Sequence, residues 1–153
     1  MKGIRFFGLL LTALILASCA SFRAVPPENF AAYKESKEDG TVKFKAISPD
    51  GVLYRVSEYE QESEASAEFW GEALLLKMKN SNYKQEETLT LTIGNQPAAA
   101  YLFSLASSTG TDFYLIAAVQ SKGKVFVVEA AGEEEKFNAR KTEILEAIGK
   151  IEF

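Results

Sequence analysis

The sequence predicts an α+β domain, a largely antiparallel sheet of six strands covered by two helices. Three observations carry that prediction. Apolar and polar residues alternate at period 2 in several stretches separated by short turns. The period switches to that of a helix twice, once midway and once at the end of the 153 residues. Nothing repeats, and no composition shift marks a second domain.

The first strand is TVKFKAI (41–47), where Val42, Phe44 and Ala46 alternate with Thr41, Lys43 and Lys45. SPDG (48–51) is a turn, and VLYRVSEY (52–59) is its partner, with Val52, Tyr54 and Val56 on one face. From Ser63 to Asn80 the pattern becomes helical, with Ser63 or Ser66 as N-cap and Asn80 and Asn82 as stops. Phe69, Trp70, Ala73, Leu74 and Leu76 form a wide apolar stripe, with Met78 at its margin. Gly71 costs about 1 kcal/mol against Ala in mid-helix, which points to something packed close against it.

Four strands follow. ETLTLTI (87–93) alternates cleanly, GNQP (94–97) turns the chain, and AAAYLFSLA (98–106) puts Tyr101, Phe103 and Leu105 on one face. After the loop SSTGTD, the stretch FYLIAAVQ (113–120) is nearly all apolar, as expected of a strand covered on both faces. SKGK (121–124) is a tight turn into VFVVEAA (125–131). The last element, 133–151, is an amphipathic helix with Phe137, Lys141, Ile144, Ile148 and Ile151 in phase. Glu133, Glu134 and Glu135 stand at its N-terminus, where the helix dipole favours negative charge. A further short helix is expected in the charge-rich stretch ENFAAYKESKEDG (28–40), from Phe30 and Tyr33 at i, i+3.

The N-terminus carries a different signal. Lys2 and Arg5 precede an apolar run from Phe6 to Ala17, too short to span a bilayer and of the length of a secretory h-region. Leu16, Ala17, Ser18 and Cys19 then resemble the lipobox of bacterial lipoprotein signal peptides. The resemblance implies a diacylglyceryl group, often with a third acyl chain, on the Cys19 sulfur, and cleavage after Ser18. Thiolate nucleophilicity suits that role, and two or more chains suffice for stable anchoring. The alternative is an ordinary secreted protein with a cysteine near its cleavage site. Ala20, where an Asp would favour retention in the inner membrane, favours the outer membrane in a Gram-negative host. The organisation expected is a signal peptide over 1–18, a lipidated N-terminus and tether over 19–40, and one globular domain over 41–153.

Composition narrows the chemistry. Loss of Lys2 and Arg5 with the signal peptide moves the formal net charge from −4 to −6, which argues against nucleic acid and against a basic membrane-docking patch. Cys19 is the only cysteine, so no disulfide forms within the chain, and there is no histidine. The commonest general base and metal ligand is therefore missing, and no cofactor is implied.

The order of strand pair, helix, hairpin strands and terminal helix resembles that of the Mog1/PsbP-like family. FWGEALLLKM (69–78) is similar to that family's first major helix. DFYLIAAVQSKGKVFVVEAAG (112–132), followed by Phe137, Arg140, Ile144 and Ile148, is similar to its closing hairpin and helix. The resemblance spans about 41–152 and implies an α/β/α sandwich and non-enzymatic association with a larger assembly, here an envelope protein partner. Fold alone is a weak warrant for function.

Other candidates are weighed against ordinary surface and core. Glu58, Glu60, Glu62 and Glu64 could do acid–base work or hold calcium, but alternating acids are more often solvated. Trp70 could anchor a partner, but Trp in a helix stripe is more often core. Ser107, Ser108, Thr109 and Asp112 lack an activating base and suit a hydrogen-bonded turn. Lys122 and Lys124 lack the glycine-rich loop of a phosphate cradle. A second function, carriage of a small apolar ligand, would need a pocket between sheet and helix lined by Phe69, Trp70, Tyr101 and Phe103.

Overall fold

The computed structural model describes residues 22–34, 41–61 and 65–153. Seven strands form one sheet: β1 (Ala31–Ala32), β2 (Val42–Ile47), β3 (Leu53–Glu60), β4 (Lys84–Ile93), β5 (Gln96–Ser107), β6 (Gly110–Ser121) and β7 (Lys124–Glu133). Their order is β1-β2-β3-β7-β6-β5-β4, with every neighbouring pair antiparallel. Helix α1 (Ala67–Asn80) lies on one face and α2 (Glu134–Gly149) on the other. This is an α+β fold, an antiparallel sheet with a helix on each face, as the Mog1/PsbP-like resemblance implied.

The hairpins form where the sequence permits left-handed backbone. Gly94 and Asn95 have φ of 56° and 64° between β4 and β5, and Lys122 and Gly123 have 51° and 74° between β6 and β7. Paired positive-φ residues give the two-residue turn whose twist matches that of the strands. Strand β6 supplies both cores from alternate positions. Leu115, Ala117 and Val119 face α2, while Ile116 and Ala118 face α1. That accounts for the unbroken apolar run there.

Two helix details follow the chemistry of their ends. Ser66 caps α1, its Oγ accepting from the Phe69 N–H at 3.2 Å. At the other end Asn82 takes φ 61°, and the Tyr83 N–H reaches the Met78 carbonyl at 3.2 Å while the Asn82 N–H reaches that of Lys79 at 3.3 Å. Together these bonds make a Schellman motif. Ser63, the other candidate cap, lies outside the described residues. In α2, Phe137, Ala147 and Ile148 are buried with Ile144, and Ile151 is buried just beyond the helix.

Three expectations are corrected. Among the described residues the sheet has seven strands, because β1 pairs Ala31 with Ile47 and Ala32 with Ala46. The helix expected over 28–40 is not formed in its described part, 28–34. Asn29 turns at φ 63° after Pro27, the Phe30 N–H bonds to the Pro27 carbonyl, and the Phe30 ring enters the core. Burying that ring outweighs the weak helical pattern. The stripe of α1 is also rotated from the expected one. Gly71, Leu74 and Met78 are buried, while Phe69, Ala73 and Leu76 point outward.

Candidate binding face

Helix α1 packs over β5 and β6. Among the described residues, no helix lies over the same face of β2, β3 and the outer part of β7. The sequence pattern there explains the bareness: the cross-strand partners Lys45 and Arg55 stand where a covered face would carry apolar residues. Beside these cations lie apolar side chains left in solvent, Leu53 at 44 % and Ile47 at 37 % exposure, and Tyr59 is exposed at the other end of β3, near the β6–β7 turn. Ile47 and Leu53 are cross-strand partners.

A groove of about 410 Å³ runs along this bare area, lined by Tyr33, Lys45, Leu53, Arg55, Tyr114 and Glu129 among others. Its polar centre is Glu129. One carboxylate oxygen accepts from the Arg55 Nε at 2.7 Å and lies 2.6 Å from a terminal guanidinium nitrogen. The other accepts from the Tyr114 hydroxyl. Arg55 and Glu129 are opposite each other in the β3–β7 register, which brings the charges together across the ladder. Burial, followed by the Glu129 charge and hydrogen bond, pushes the Tyr114 hydroxyl above the ordinary tyrosine range. Each member of the cluster keeps its partner, so the cluster holds the groove floor in shape and offers no free acid, base or nucleophile. Sequence reading missed this face. Its only signal was a Leu, Arg and Tyr series on the outward side of β3, which reads as ordinary surface.

The sequence candidates fall elsewhere. Leu16, Ala17, Ser18 and Cys19, with Glu62 and Glu64, lie outside the described residues. Glu58 is a structural ion-pair centre, 2.8 Å from Lys124 and 3.5 Å from Lys43. Burial disfavours the charged carboxylate and raises its pKa, but Lys124 and Lys43 outweigh that and hold the carboxyl below its usual range. Ser107 bonds within its own turn, at 3.3 Å to Thr109 and 3.2 Å to the Gly110 carbonyl. That turn, with Asp112 and Glu133 to Glu135, borders an open acidic hollow. Among the described residues, no three His, Cys, Asp or Glu side chains are grouped to hold a metal ion.

The residues expected to line a ligand pocket under α1 pack among themselves and their neighbours. Phe103 is buried, Tyr101 and Trp70 are half-buried, and Phe69 points outward against the Trp70 ring at 5.3 Å. A Cβ placed on Gly71 would sit 2.6 Å from the Tyr101 hydroxyl and 3.4 Å from the Ala99 Cβ. Gly71 is the close approach that its cost in the helix implied.

No known sequence family matches the chain, and no curated protein matches it. Solved structures do match, and they share a fold class. The cyanobacterial PsbP (CyanoP) of Synechocystis sp. PCC 6803 aligns with TM-score 0.61 and 10% identity, over 85% of each chain. LpqN of Mycobacterium tuberculosis, involved in cell envelope biogenesis, aligns with TM-score 0.58 and 13% identity, over 90% of this chain and 86% of its own. PA94 of Pseudomonas aeruginosa, a protein of unknown function, aligns with TM-score 0.57 and 11% identity, over 80% and 95%. Identities this low establish likeness of fold. No described helix is long and apolar enough to cross a membrane.

Proposed function

We propose that this chain is a bacterial envelope lipoprotein, cleaved before Cys19 and anchored through it, whose domain binds another envelope protein without catalysing a reaction. Ala20 favours the outer membrane if the host is Gram-negative. The observation that carries the binding role is the bare half-sheet, where Leu53 and Ile47 stay in solvent beside a satisfied polar cluster. Solvated apolar side chains beside fixed polar groups suit a polypeptide partner, which can cover the former and hydrogen-bond around the latter. The LpqN neighbour's part in envelope biogenesis is consistent with such a setting.

In-cell cross-linking read by mass spectrometry tests the reading, with wild type, Leu53→Asp and Cys19→Ala compared. A defined envelope protein recovered with wild type and lost with Leu53→Asp is the expected result. Leu53 is exposed, so the substitution leaves the core intact. Equal recovery with Leu53→Asp removes the half-sheet from the interface, and no defined partner with wild type removes the binding role.

A further inference from the structure

From Phe22 onward the described chain is packed on the domain rather than forming a free tether. Phe22 stacks on Phe126 with ring centroids 5.5 Å apart, and Phe153 packs on the same ring at 4.2 Å. Arg23 and Glu152 exchange two backbone hydrogen bonds, of 2.9 and 3.0 Å, as a single antiparallel bridge. Pro27 and Phe30 are buried further on. The chain is thus fixed to the domain from Phe22 onward, and only Ala20 and Ser21 separate Phe22 from Cys19. Three extended steps reach about 10 Å at most.

The pole of the domain that carries Phe22 is well defined. It gathers the β6–β7 turn at Lys122, the β4–β5 turn at Gly94 and the end of α2 at Lys150, with Phe153 in contact with both Gly94 and Phe126. The opposite pole holds the β5–β6 turn, Asp112 and Glu133 to Glu135. The two are separated by the length of β6, twelve residues, or about 36 Å. Their charges differ as well. On the Phe22 pole Arg23 and Lys150 are exposed, and Lys122 Nζ donates to the Phe153 carbonyl at 3.1 Å. Glu58 and Glu60 there are paired with Lys124, and Glu152 is exposed. An anionic headgroup layer tolerates that mixed surface and repels the acidic pole.

We infer that the pole formed by Phe22, Arg23, Lys122, Lys150 and Phe153 is a docking face for the phospholipid headgroup layer, pressed there by the two-residue link to the anchor. The inference rests on the reading of Cys19 as the lipidated residue. The domain then stands with its acidic pole outward and has little freedom to tumble.

The test uses the full chain, processed in a bacterial host and reconstituted in phosphatidylethanolamine–phosphatidylglycerol vesicles with nitroxide-labelled headgroups. Because Cys19 is the only native cysteine, a fluorophore can be placed on Gln96→Cys at the docking pole or on Thr109→Cys at the acidic one. The mass of the mature N-terminus is read first. An unmodified Cys19 overturns both the anchor reading and this inference. With lipid present, the label at 96 is expected to lose most of its fluorescence while the label at 109 keeps the level seen without nitroxide. Equal quenching, or more at 109, overturns the docking face and leaves the anchor standing. Twelve Gly and Ser residues inserted between Ser21 and Phe22, reaching about 20 Å, are expected to erase the contrast. If the contrast survives that insertion, the short link is not what holds the face down.

Discussion

The contact between Gly71 and Tyr101 makes a quantitative prediction about how α1 is seated. Replacing Gly71 by Ala removes the backbone entropy cost of a mid-helix glycine, a gain of about 1 kcal/mol. It also drives a methyl group to 2.6 Å from the Tyr101 hydroxyl. Nearly an ångström of movement is needed to restore contact distance, and overpacking of that kind costs about 1–3 kcal/mol. Gly71→Ala alone should therefore be destabilising by roughly 0–2 kcal/mol, the difference of those two terms. In a Tyr101→Phe background the obstructing oxygen is gone, and the same substitution should stabilise by up to about 1 kcal/mol. The assay is urea unfolding of the mature chain with Cys19→Ala, in all four members of the cycle, followed by tryptophan fluorescence and circular dichroism. The expected coupling is the overpacking cost itself, about 1–3 kcal/mol, well above the roughly 0.3–0.5 kcal/mol scatter of independent sites. Equal effects of Gly71→Ala in both backgrounds would mean that the hydroxyl is not lodged against the helix. Room would then exist beneath α1, as carriage of an apolar ligand requires.

Four further outcomes are expected. The Tyr54 hydroxyl is buried with no hydrogen-bond partner, and burial pushes its ionisation above the ordinary value of 10.0. Tyr54→Phe should stabilise by about 1 kcal/mol at neutral pH, and a loss of stability in denaturant unfolding would contradict the unpaired hydroxyl. Tyr54 and Tyr114 both ionise less readily folded than unfolded, so their contribution is full below the ordinary tyrosine value and falls away above it. Stability measured from pH 8 upward should drop above about 10, and less steeply in Tyr54→Phe and Tyr114→Phe; superimposable curves would refute the assignment. Glu58 has the opposite sign, its folded ionisation lying below 4.5, so its contribution holds above that value and is lost as the pH falls through the folded one. Glu58→Gln should flatten the acid limb of the same profile, and an unchanged limb would show that the Lys43 and Lys124 contacts carry no weight. At Asn82, φ is 61°, so Asn82→Ala should cost about 1 kcal/mol and Asn82→Gly very little; matched thermal shifts for the two would argue against the left-handed cap.

The parts of the fold that were legible are those set by local chemistry. Alternation gave the long strands, the Gly–Asn and Lys–Gly pairs gave hairpins, and Asn82 gave a helix stop, because each depends on a few adjacent residues. The errors lie where distant contacts decide. Phe30 reads as one face of a short helix, yet its ring is worth more in the core, and β1 exists only because β2 offers a free edge. The stripe on α1 misled because Phe69 and Leu76 are apolar but outward-facing, whereas the buried line runs through a glycine, Gly71, that no hydrophobicity pattern selects. The binding face was illegible for a related reason. Arg55, Tyr114 and Glu129 are far apart in sequence, and only the β3–β7–β6 pairing brings them together.

Geometry also separates the two roles proposed for the chain. Tyr114, on the groove, is seven residues along β6 from Ser121 at the docking pole, or about 23 Å. Leu53 pairs with Ala131, on the half of the sheet away from the β6–β7 turn. A partner can therefore occupy the groove without displacing headgroups, and the anchor cannot fill the groove with its own chain. The lipid would act on binding only through concentration and orientation, by holding the groove at a fixed height above the bilayer. Loss of the anchor and loss of Leu53 should then have separable signatures. Cys19→Ala should weaken capture in cells but leave affinity for a purified partner in solution unchanged, whereas Leu53→Asp should weaken both. If Cys19→Ala lowers the solution affinity as well, the N-terminus is part of the interface, and the division between anchor and groove fails.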